Sequence, residues 1–123
     1  MIPTIEVDVG LPTPAYEQIR AQIVGHVAAG TLRPGDRLPT VRSLGADLGI
    51  ATNTVARAYR ELESLGVVAS RRRVGTVVTA VEHPPEDLQR AARDFAQAAL
   101  VAGLDEAATL DLVRGALSAM RTR

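Results

Sequence analysis

Two short apolar stretches hinged at Gly49 constrain this chain more than any other feature. Leu44 and Leu48 precede the hinge. After it, Val55, Ala58, Tyr59 and Leu62 recur at spacings of three and four, which places them on one side of a helix. Glycine is the residue best able to make so tight a turn between two helices. The second helix must then pack against the first. Its other side carries Asn53, Ala56, Arg57 and Arg60, with amide and guanidinium groups and no acid. Such a side suits the major groove of DNA, where Asn can bond adenine bidentately and Arg can bond guanine. It also suits water, as the solvated side of an ordinary amphipathic helix. This stretch taken alone leaves both readings open.

Charge distribution bears on the choice. The 123 residues carry no net charge, which by itself argues against a nucleic-acid partner. From Arg33 to Gly75, however, eight arginines face four acids, whereas from Val81 onward five arginines face seven. The cationic excess is therefore local, and locality is what a nucleic-acid footprint requires. All the basic residues are Arg and none is Lys, a bias that genome composition also produces. Without Cys there is neither a disulfide framework nor a thiolate metal site. The aromatics are Tyr16, Tyr59 and Phe95, so the core is built from Leu, Val, Ile and Ala. No apolar run reaches membrane length, and Met1-Ile2-Pro3-Thr4 does not open a signal sequence. A cytoplasmic protein is the default expectation.

Taken in order, Ile5-Glu6-Val7-Asp8-Val9 alternates apolar and acidic, as a short strand or extended arm does. Thr13-Pro14 predicts a helix start, with Thr as cap and Pro in the first turn. Tyr16, Ile19, Ile23, Val24 and Val27 make its apolar face, and Gly30 stops it. Residues 31–39 read as a loop anchored by Leu32 and Leu38, with a turn at Pro34-Gly35. Thr40 caps the next helix, whose Val41, Leu44 and Leu48 face inward. Arg42 and Ser43 fall in its first turn, beside backbone N–H groups that suit a phosphate. Gly66 ends the helix after the hinge. The β-prone runs 67–71 and 76–79 flank Arg72-Arg73-Val74-Gly75, a hairpin with a cationic tip. Three helices and such a hairpin make a winged helix-turn-helix over residues 1–80.

Residues 81–85 read as a linker, and 81–123 as a helical tail. Glu86 and Asp87 open its first helix, where the dipole favours acids. Leu88, Ala91 or Ala92, Phe95, Ala99 and Ala102 form one face, and Gly103 ends the helix. Asp105 is positioned to cap a second helix. There Ala108, Leu112, Ala116 and Met120 align, with Leu110, Val113 and Leu117 beside them. A lone helical hairpin leaves one side of each stripe wet. The expected cover is a partner subunit, the alternative a fold back onto the winged domain. The expected dimer surface is Leu88, Phe95, Leu110, Leu112, Val113, Leu117 and Met120.

Three spaced segments carry a family likeness: Pro14-Ala15-Tyr16-Glu17-Gln18-Ile19; Gly30 through Arg42, with Pro34-Gly35-Asp36-Arg37-Leu38-Pro39-Thr40-Val41-Arg42; and Thr52-Asn53-Thr54-Val55-Ala56-Arg57-Ala58-Tyr59-Arg60-Glu61-Leu62-Glu63. Together they resemble the GntR family of bacterial transcription regulators. The Asn-Thr-Val-x-x-Ala-Tyr form of the third helix and the short tail look like its YtrA branch. The resemblance implies a homodimer that binds double-stranded DNA at a palindromic operator, usually as a repressor and often of a transporter operon. It carries DNA contact over to Arg42, to Thr52, Asn53 and Thr54, and to Gly75-Thr76. Three positions depart from the family pattern. Ala51 stands where Ser or Asn usually caps, leaving Thr52 as an alternative cap. Arg73 replaces the first glycine of the wing, and Val77 replaces a usual Phe.

The full candidate DNA-binding set is thus Thr40, Arg42, Thr52, Asn53, Thr54, Arg57, Arg60, Arg71, Arg72, Arg73, Gly75 and Thr76. Thr40 reads as a cap that also touches phosphate, and Tyr59 as core. Arg57 and Arg60 can instead pair with Glu61, Glu63 or Glu17 inside the domain. His26 and His83 are isolated, and no catalytic or metal-binding constellation appears, so neither enzyme activity nor a cofactor is expected. The competing functions are a winged-helix protein-interaction module and a metabolite sensor with a pocket at the tail interface. An unknown small-molecule effector belongs with the second.

Overall fold

In the computed structural model the described residues are 3–79 and 84–121. The expected linker at 81–85, apart from Pro84 and Pro85, lies outside them, as does His83. Helices α1 (Ala15–Ala28), α2 (Val41–Leu48) and α3 (Thr52–Ser64) are followed by strands β1 (Val68–Arg71) and β2 (Gly75–Val78), then by helices α4 (Glu86–Val101) and α5 (Glu106–Arg121). The chain divides into two units, Met1–Pro84 and Pro85–Arg123.

In the first unit the apolar stripes of α1 and α3 meet. Ile19, Ile23, Val55, Ala58 and Leu62 are fully buried, with Val27, Leu44, Val68 and Val78 around them. Burying an aliphatic side chain of this size contributes about 1.5–3 kcal/mol, so this cluster decides the fold. Leu32 and Leu38 are buried as the loop reading requires. That loop also does more than connect. Arg37 forms a β-bridge to Val77, Gly35 N–H donates to the Val78 carbonyl (2.8 Å), and Leu38 N–H donates to that of Thr76 (2.9 Å). The β1–β2 hairpin pairs Val68 with Val78 and Arg71 with Gly75. The loop therefore borders β2 on its other edge, a pairing that no period-2 pattern announced.

One local expectation changes at the N-terminus. Thr13 does not cap α1. The Pro14 carbonyl instead receives the N–H groups of Glu17 and Gln18, both at 3.1 Å, and no side chain caps. Of the two readings of residues 5–9, the extended arm holds and the strand does not: side chains fix it. Gln22 accepts from Glu6 N–H (2.9 Å) and donates to the Glu6 carbonyl; Gln18 does the same for Asp8, at 2.9 Å each way. A glutamine amide offers one donor edge and one acceptor, as a peptide group does. Two of them on α1 replace a neighbouring strand, and the alternation of the arm puts Ile5 into the core.

The second unit is built differently. Asp105 caps α5 by accepting Ala108 N–H (2.8 Å), and Gly103 closes α4 in the left-handed region at φ 82°. Among the described residues of this unit Ala99 alone is buried. Leu88, Phe95, Leu110, Leu112, Val113, Leu117 and Met120 are all exposed within the single chain.

Candidate nucleic-acid interface

Helix α3 owes its placement to the turn before it. Gly49 takes φ 68°, and Ile50 N–H closes the end of α2 on the Gly45 carbonyl (3.0 Å). Gly45 is itself closely approached. A Cβ there would lie 3.0 Å from the Ile50 carbonyl oxygen and 3.5 Å from Thr52 Cα. The one signal of this in the sequence is a glycine inside an eight-residue helix. Thr40 caps α2 by accepting Ser43 N–H at 3.0 Å, as expected. Arg42, in the first turn, is exposed and forms no ion pair among the described residues.

The N-cap of α3 is Ala51, with no side-chain bond; Thr52 is already helical and does not take over as cap. Thr54 and Val55 N–H reach the Ala51 carbonyl (3.0 and 3.4 Å). The N–H groups of Thr52 and Asn53 donate to nothing among the described residues. The start of α3 thus keeps open donors where the helix dipole is positive. Thr52, Asn53, Arg57 and Arg60 are exposed, and Thr54 is half-buried. Opposite them, Tyr59 is buried and its hydroxyl donates to the Pro39 carbonyl at 2.7 Å, tying α3 to the loop that enters α2. Burial also pushes that phenol well above its ordinary pKa, so it stays neutral.

The two arginines of α3 differ. The Arg57 guanidinium lies 3.7 Å above the Tyr16 ring, and its Nε is 3.5 Å from Glu61 Oε2. Arg20 approaches the other oxygen of Glu61 (3.9 Å) and also Glu17 (3.6 Å). Arg57 is therefore drawn into the α1–α3 contact by a cation–π stack and a carboxylate. Arg60 has no ion pair among the described residues.

In the hairpin, Val74 N–H donates to the Arg71 carbonyl (3.1 Å), which closes the turn. The turn forces Arg73 to φ 67° and Gly75 to φ 106°. Arg73 thus takes a left-handed conformation that costs an ordinary L-residue about 1–2 kcal/mol. Arg71, Arg72 and Arg73 are exposed, without an ion pair among the described residues; Thr76 is half-buried. Val77 is 8% exposed, so even a side chain smaller than the expected Phe is covered. Among the described residues no cluster of His, Cys, Asp or Glu could hold a metal ion, and no helix is long and apolar enough to cross a membrane.

Known proteins are similar to this chain in sequence and in fold. Residues 15–78 match the model of the bacterial regulatory proteins of the gntR family. The HTH-type transcriptional regulator Rv1152 of Mycobacterium tuberculosis is 45% identical over 100 residues, covering 81% of this chain and 83% of its own. The HTH-type transcriptional repressor YtrA of Bacillus subtilis is 40% identical over 75 residues, 61% of this chain and 58% of that one. Among solved structures, YtrA of Sulfolobus acidocaldarius, a GntR-family transcription factor, superposes with a TM-score of 0.58 at 30% identity, over 95% of this chain and 99% of its own. The DNA-binding domain of AraR, solved in complex with operator ORX1, gives a TM-score of 0.55 at 27% identity over 63% of this chain and 99% of that one. The chain belongs to the gntR family: it is a YtrA-like, winged-helix transcriptional regulator that binds DNA, and not an enzyme.

Proposed function

We propose that the protein is a homodimeric repressor that binds a palindromic operator. Helix α3 of each subunit enters a major groove and the hairpin lies along the adjacent backbone. The observation that carries this reading is the division of α3. One side is sealed by Val55, Ala58, Tyr59 and Leu62, while Thr52, Asn53 and Arg60 stand exposed with no ion pair holding Arg60 among the described residues. Thr52 and Asn53 N–H, at the start of the helix, suit a phosphate. The Asn53 side chain suits adenine and Arg60 suits guanine. Arg42 and Thr40 flank that entry from α2, and Arg71, Arg72, Arg73, Gly75 and Thr76 serve the backbone from the hairpin. Support also comes from the operator complex of the AraR domain, whose fold this chain shares. The exposed apolar residues of α4 and α5 supply the dimer contact, and such a regulator works in the cytoplasm.

Titration of wild type and Asn53→Ala against operator and scrambled duplex tests this. The substitution is at an exposed position, so stability should be unchanged. Operator affinity should fall by about 1–3 kcal/mol per half-site and scrambled affinity should hold. An equal loss on both duplexes would remove α3 from the base edges.

A further inference from the structure

We propose that Arg37 is a further DNA-backbone contact, a fourth cation of the wing supplied by the loop before α2. The inference rests on the DNA-binding reading above. In sequence Arg37 is remote from the hairpin, separated from Arg71 by two helices. The fold brings it back. Its bridge to Val77, with Leu38 N–H on the Thr76 carbonyl and Val78 N–H on the Asp36 carbonyl (2.8 Å), fixes its backbone in register with β2. Its side chain then runs toward the turn: Nε lies 4.0 Å from where a Gly75 Cβ would stand. The residue is exposed and has no ion pair among the described residues. Asp36, the nearest acid in sequence, directs a carboxylate oxygen to Arg33 N–H instead (2.8 Å).

Charge and geometry agree here. Between Glu63 and Glu82 the chain has no acid, so Arg37 adds to Arg71, Arg72 and Arg73 without a neutralising partner in that segment. Four guanidiniums about one narrow hairpin repel one another unless a polyanion runs past them. A Cβ at Gly75 would be in ordinary van der Waals contact with Arg37 Nε, so the Arg37 side chain lies directly beside the turn. A guanidinium so placed is a donor fork for phosphate oxygens, identical at every sequence.

The test is binding of Arg37→Gln and Arg37→Lys to operator and scrambled duplexes across a salt series. The control is Arg90→Gln, an exposed site on α4. Arg37→Gln should weaken both duplexes alike and flatten the plot of log K against log salt by about one unit per bound subunit. Arg37→Lys should restore the slope, because charge releases counterions whatever its shape. Thermal melts of each variant separate a folding defect from a lost contact: reduced affinity with an unchanged salt slope is structural and overturns the assignment. Unchanged affinity and slope in Arg37→Gln overturn it too. A failure of the DNA-binding reading would look different, since wild type itself would then bind neither duplex.

Discussion

Arg73 stands at the turn of the hairpin in a conformation that glycine adopts freely. Arg73→Gly should therefore raise stability, by about 1 kcal/mol, even though glycine loosens the unfolded chain. Urea denaturation should show a higher midpoint with the slope unchanged, and a lower midpoint would mean that the arginine side chain packs favourably there. The same substitution removes one of the charges proposed to face the backbone, so the gain in stability should accompany a shallower salt dependence of DNA binding. Strain retained at a cationic tip is what a binding role for this position would produce. The missing glycine was visible in the sequence; the left-handed backbone beneath the arginine was not. Residue types state what a side chain carries but not which neighbour claims it. Arg57 and Arg60 look alike on a helical wheel, yet Tyr16 and Glu61 hold the first and leave the second.

Among the elements, the pair α2 and α3 is the one whose spacing has no slack. Gly45 lies where any side chain would meet the backbone after the turn, at 3.0 Å from the Ile50 oxygen. Gly45→Ala should force α3 outward and cost about 1–3 kcal/mol, as overpacking does. Operator affinity measured at a temperature where the variant is still folded should fall as well, because the exposed face of α3 moves with its axis. An unchanged melting temperature would show that the turn gives way at no expense. Local signals made the helices legible here: the apolar spacing, the Thr40 cap and the Gly49 stop all stand where the sequence put them. What stayed hidden depends on partners distant in sequence. The arm from Ile5 to Asp8 has the alternation of a strand, but Gln18 and Gln22 supply its ladder from a helix. The edge formed by residues 35–38 carries no alternation, since its pairing is set by where β2 arrives.

At the scale of the molecule the two units are unequal. The winged unit fills its own core, whereas the helical unit leaves Phe95, Leu112 and their neighbours in water. Phe95→Asp or Leu112→Asp would put an unpaired charge into the proposed seam between subunits. If wild type dimerises as proposed, sedimentation velocity should then show monomers at concentrations where wild type sediments as dimer, with dimer affinity reduced about a hundredfold or more. The melting of the winged unit should not change. Dimers that persist in both variants would place the subunit contact elsewhere. Helix α5 has no buried residue among those described, and that has a consequence for dosage. In the proposed dimer, a helix that buries so little in its own chain would be held largely by mass action. While monomers predominated in such an equilibrium, doubling the number of chains would raise the amount of dimer about fourfold. A gene under the control of such a protein would answer to the square of the regulator's abundance, so that a modest change in its synthesis would act as a threshold.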